Sequence, residues 1–194
     1  WAHHTYIIPH QPWIRIVAYG ISMTEWIIIG SMILNWSKSL KKELRQDNIS
    51  YKWIISTDVW VFLNLILALL ISIPVINLFT HGTHITVAHS MGTTIGINST
   101  IIFASISYIL LKDSNHLVKY KKMLNIGFFL FHFSLFIFLS SLIYAGYQRS
   151  IWMNTDLYTT QNFSEMHQSM LPTIFVLVFS GGLLCLGILF TTIP

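Results

Sequence analysis

Five long stretches of the chain, 13–36, 54–79, 85–111, 123–147 and 170–194, are apolar and nearly free of charge, and short polar segments separate them. At about 1.5 Å per helical residue, each is long enough to cross a hydrocarbon core of about 30 Å. The first is the most polar of them, since it contains Arg15 and Glu25. The third contains no Asp, Glu, Lys or Arg at all. The pattern predicts an all-α fold, a polytopic transmembrane bundle of five membrane helices, in one integral membrane domain over 1–194.

Composition agrees with that pattern. The 194 residues are 54% hydrophobic and only 9% charged, with a mean hydropathy of +0.63, whereas a soluble domain carries about 25% charged residues. Of the eleven Lys and Arg residues, five lie between Lys38 and Lys52 and four between Lys112 and Lys122. Both of these loops are therefore expected on the cytoplasmic side, and the residues before Trp13, the turn at His81 and a polar loop over 148–169 on the other. The net charge of +4 is accounted for by this bias and gives no reason to infer nucleic acid as a partner. The single cysteine, Cys185, lies in an apolar span and reads as packing rather than a disulfide. Trp1 is not a start methionine, so the chain reads as the C-terminal part of a longer subunit.

Candidate chemistry concentrates in one stretch, 81–91, which reads His-Gly-Thr-His-Ile-Thr-Val-Ala-His-Ser-Met. His89 falls inside the third apolar run, where an imidazole is costly unless it is paired, hydrated or bound to metal. At about 100° per residue, His89 and Met91 point to nearly opposite sides of a helix. One helix would thus offer an imidazole to one neighbour and a thioether to another. Glu25, near the middle of the first span, is a second costly group that must face a partner or a wet cavity. His3 and His4 are adjacent in a turn that precedes Pro9 and Pro12. Such a pair reads either as a wet interfacial turn or as two imidazoles converging on one ion.

Several other residues carry less information. Asp58 reads as a hydrated interfacial acid, and Arg149 as an interfacial anchor or a partner for a carboxylate. His132, set among phenylalanines, reads equally as a hydrogen-bonded core histidine or a site residue. Gly181, Gly182 and Gly187 are expected to permit close helix contact.

The arrangement resembles the haem-copper oxidase superfamily, in which one helix runs between two haems and ligates both. The oxidases of that superfamily carry a run of the form HDTYxVVAHxH here. This chain keeps the interval from His81 to His89, with Thr83 and the Val87-Ala88-His89 core, and has Met91 in place of the last histidine. Its His-Gly-Thr opening is similar to the nitric oxide reductase branch, and so is a glutamate 21 positions after the His-His pair, from His4 to Glu25. The resemblance implies reduction of nitric oxide to nitrous oxide by a multi-pass respiratory enzyme of the bacterial cytoplasmic membrane. It implies two b-type haems and a non-haem iron, with His89 on the high-spin haem, Met91 at the low-spin ligand position and His81 at the cofactor. His3 and His4 would hold the second metal, Glu25 would be catalytic, and electrons would come from a cytochrome c subunit or quinol. Membrane lipid is the remaining partner. Two other readings stay open: an oxygen-reducing terminal oxidase with copper in the second site, and a non-enzymatic haem-handling membrane protein.

Overall fold

The computed structural model describes residues 9, 11–39, 49–111, 116–155 and 160–192. In chain order they form α1 (Pro12–Ser39), α2 (Ile49–Ser72), α3 (Pro74–Thr80), α4 (His84–Met91), a π-helical segment (Gly92–Ser99), α5 (Thr100–Leu111), α6 (His116–Met153), α7 (Thr160–Ser169) and α8 (Leu171–Thr192). No strand occurs among the described residues. Among the described residues, three helical stretches, Ile49–Ser72, Tyr120–Met153 and Leu171–Thr192, are long and apolar enough to cross a membrane. The expected third span is a continuous helical rod over 84–111 whose winding changes from α to π and back, and the expected first span coincides with α1.

Two expected boundaries are corrected. The run 54–79 is not one helix, because Pro74 has no N–H to donate and its ring restricts the residue before it. Accordingly α2 stops at Ser72, Ile73 is extended with ψ 123°, and α3 restarts with Pro74 in its first turn. The break is satisfied internally, since Asn77 Nδ2 donates to the carbonyl of Ile71 at 2.8 Å. The second correction concerns 148–169, which is largely helical rather than a loop. Here α6 runs past its apolar stretch, and the Ser150 hydroxyl donates to the carbonyl of Phe79 at the end of α3. α7 is held against that extension by Phe163, whose ring lies 5.3 Å from Trp152.

Large apolar side chains cover much of the outside of the bundle. Ile27, Phe129 and Phe175 are 74%, 66% and 72% exposed, as suits a surface meeting lipid tails. The core is an aromatic cluster around Trp53 of α2, which packs against Phe103 of α5 at 4.9 Å and against Phe128 and Phe131 of α6 at 4.8 and 5.4 Å. The buried hydroxyls of α2 pair with another hydroxyl or with backbone: Thr57 and Thr100 lie 2.8 Å apart, and Ser50 donates to the Ala104 carbonyl at 2.8 Å.

Close helix contact is made by glycines, though not all of those expected. A methyl group on Gly187 of α8 would lie 2.8 Å from Phe131 N, and one on Gly146 of α6 would lie 2.5 Å from Ile85 N. Gly181 and Gly182 face open space instead. Gly146 thus sets how near α6 comes to the start of α4. Gly146→Val is expected to cost about 1–3 kcal/mol through overpacking, lowering the thermal midpoint in detergent, whereas Gly181→Ala should leave it unchanged. Equal midpoints for the two variants would show that α6 yields at this contact.

Candidate functional site

The turn that carries the histidines is built by local chemistry. After α3, Gly82 adopts a φ of 70°, a left-handed conformation that glycine enters without steric cost. Thr83 then caps α4: its hydroxyl oxygen accepts from Ile85 N at 3.3 Å, and the hydroxyl donates to the Thr80 carbonyl at 2.6 Å. The capping fixes where α4 begins and therefore the direction in which His89, five residues into it, projects.

His89 is half-buried and points toward α2. Its Nδ1 lies 3.1 Å from Asn64 Oδ1, and Asn64 Nδ2 donates to Thr93 Oγ1 at 2.6 Å. Gly92 makes room for the carboxamide, because a methyl group there would stand 2.6 Å from Asn64 Oδ1. One turn further, Gly96 admits Trp60, whose ring would be 3.2 Å from an added methyl. Two glycines of the π segment therefore accept two large α2 side chains, one behind the other. π-helical turns inside α-helices occur frequently at functional sites.

His81 and His89 line one cavity of about 340 Å³, together with Ile71, Asn77, Thr93 and Thr94. Met91, half-buried, is not among its lining residues, in keeping with its position about 200° around the helix from His89. His84 lines a different cavity of about 210 Å³, with Arg149 of α6 and His167 of α7. His3 and His4 lie outside the described residues, as does the side chain of Glu25, whose backbone belongs to α1. Among the described residues, no three His, Cys, Asp or Glu side chains are grouped to hold a metal ion.

The remaining candidates separate cleanly. His132 belongs to the core: Trp60 Nε1 donates to its Nδ1 at 3.0 Å, and the rings of Trp53, Phe128 and Phe131 lie within 4.4–5.2 Å of it. Since an indole N–H only donates, the His132 proton sits on Nε2. Asp58 lies in a groove of about 690 Å³ with Met32 of α1 and Tyr108 of α5, away from His89. Asn64, Gly92 and Thr93 stand outside the residues that the sequence pattern marks as candidates. A carboxamide within an apolar run is itself a signal of the kind that drew attention to Glu25, because an unpaired amide in hydrocarbon costs several kcal/mol.

No curated protein matches the chain. The family model of cytochrome c and quinol oxidase polypeptide I matches residues 1–184, and so includes the whole of the His81–Met91 stretch. A match over nearly the whole length, on an all-helical fold with membrane-crossing helices, means that this chain belongs to that family, subunit I of the haem-copper oxidases, and is a membrane protein of oxidoreductase kind.

Proposed function

We propose that this chain is the C-terminal part of the catalytic subunit of a nitric oxide reductase, with five membrane helices in the bacterial cytoplasmic membrane. Two nitric oxide molecules would be reduced to nitrous oxide and water with two electrons, delivered by a cytochrome c subunit or quinol, and two protons. The observation that carries the haem part of this reading is the setting of His89. Its Nδ1 faces an amide oxygen, which only accepts, so that Nε2 bears the lone pair that iron requires. That donor set fits the high-spin one of two b-type haems, with His81 on the same cavity. Met91, on the other side of the helix, supplies a thioether suited to the low-spin haem. When bound, the haem iron and the second metal supply the redox chemistry.

The choice of nitric oxide rests on His81-Gly82-Thr83 and on Glu25, which follows His4 by 21 positions. His3 and His4 would hold the non-haem iron, and imidazole suits iron and copper alike. Glu25 would handle protons beside that cation, which favours a nearby carboxylate. The second reading, oxygen reduction with copper in place of the non-haem iron, is supported by the oxidases named in the family description.

The following outcomes are expected in the assembled holoenzyme. His89→Ala should abolish the high-spin haem absorption, whereas His3→Ala or His4→Ala should keep both haems and lose the second metal. Metal analysis of the parent enzyme identifies that ion, and copper in place of iron would favour the oxidase reading. Glu25→Gln should assemble normally and lose turnover by about 10²- to 10⁴-fold, the range for acid-base groups. Near-normal turnover would leave Glu25 a buried polar residue. For Met91, near-infrared magnetic circular dichroism of the oxidised enzyme should show a His/Met low-spin haem that becomes bis-imidazole in Met91→His. A bis-imidazole spectrum before the substitution would reduce Met91 to packing.

A further inference from the structure

The hydrogen bonds around His89 close into a ring of fixed polarity. The Thr93 hydroxyl has one proton, which it donates to the carbonyl of His89 at 3.4 Å. Its oxygen is therefore the acceptor for Asn64 Nδ2, at 2.6 Å. The amide oxygen of Asn64 is then turned to His89 Nδ1, at 3.1 Å, and an amide oxygen has no proton to give. With the Asn64 carboxamide oriented in this way, the ring places the proton of His89 on Nδ1. Asn64 is only 8% exposed, so both ends of its carboxamide need partners, and the ring provides them.

The ring is also cradled. Gly92 leaves the space that Asn64 Oδ1 occupies, and its replacement by any other residue would put Cβ 2.6 Å from that oxygen. Thr93 follows at once, four residues after His89, so that both face α2 together.

We propose that Asn64 is a positioning residue that sets the tautomer, ring orientation and donor strength of His89 toward iron, with Thr93 orienting the Asn64 carboxamide and Gly92 admitting it. The proposal rests on the reading of His89 as a haem ligand. A neutral amide oxygen on Nδ1–H makes the imidazole a better donor than no partner would, and a weaker one than a carboxylate would. Outer-sphere hydrogen bonding of this kind is one of the protein's levers on haem potential. Donor strength at the iron would therefore follow the charge and presence of the group at position 64.

The experiment compares ferrous holoenzymes by resonance Raman spectroscopy and redox titration of the high-spin haem. In Asn64→Leu the iron–imidazole stretching frequency should fall and the midpoint potential rise, because the ligand donates less. In Asn64→Asp both should move the opposite way. Gly92→Ala, which displaces the carboxamide without altering Asn64, should reproduce Asn64→Leu, and Thr93→Ala should shift both readouts in the same sense by less. These two variants decide the matter should Asn64 variants fail to assemble. Shifts of one sign in Asn64→Leu and Asn64→Asp alike, or no shift in any variant, would overturn the proposal and leave Asn64 as packing. An iron–imidazole band that survives His89→Ala would remove His89 from the iron, and so overturn the ligand reading itself.

Discussion

Polar groups inside an apolar bundle have no water to turn to, and this constraint arranges the interior. α2 bears most of the burden. Along one of its faces stand Trp53, Thr57, Trp60 and Asn64, at intervals of four, three and four residues, all of them buried. Thr57 meets Thr100, Trp60 meets His132, and Asn64 meets both Thr93 and His89. Each polar partner on α2 finds its complement on the rod over 84–111 or on α6. These pairings set the register of the three elements, because a slip of one residue along any of them would leave a donor or acceptor unpaired in hydrocarbon, at a cost of a few kcal/mol each. Apolar contacts alone would not hold the register so closely, since lipid tails satisfy a leucine as well as another helix does.

Much of this was legible in the sequence, and the gaps have physical causes. The apolar runs announced helices because hydrocarbon leaves no other open-chain solution, and the histidine-bearing turn announced itself through Gly82 and Thr83. The break at Pro74 was written in the sequence but masked by the hydropathy of its neighbours, which averages over a backbone property. The helix through 148–153 and α7 escaped because polarity marks where a chain leaves the apolar layer, whereas helices end where backbone hydrogen bonding ends. The π segment had no readable signal. Its eight residues, Gly92–Ser99, differ from α-helix by the winding that packing against Trp60 and Asn64 permits, and that packing involves a helix some 30 residues earlier in the chain.

The glycines teach the same lesson. Gly181 and Gly182 carry in sequence the same expectation of close contact as Gly187, yet they face open space, whereas Gly146 and Gly187 come within touching distance of a neighbouring backbone. Whether a small residue serves contact depends on which side of the helix it falls, and an all-round apolar helix conceals its sides. The candidate site was half legible for a related reason. His89 is conspicuous as a polar residue in an apolar run, whereas its partner Asn64 is an uncharged side chain in a run marked by its one charged residue, Asp58.

The hydrogen-bonded ring at His89 draws its three residues from α2 and from the helical rod over 84–111. Nothing in it waits for α6, α7 or α8, nor for a bound group. The imidazole is thus oriented by residues of the fold itself, and the entropy of ordering it is spent during folding rather than at the moment of loading. A group arriving at such a site meets a finished socket, and its affinity is not diminished by the need to organise the ligand that receives it.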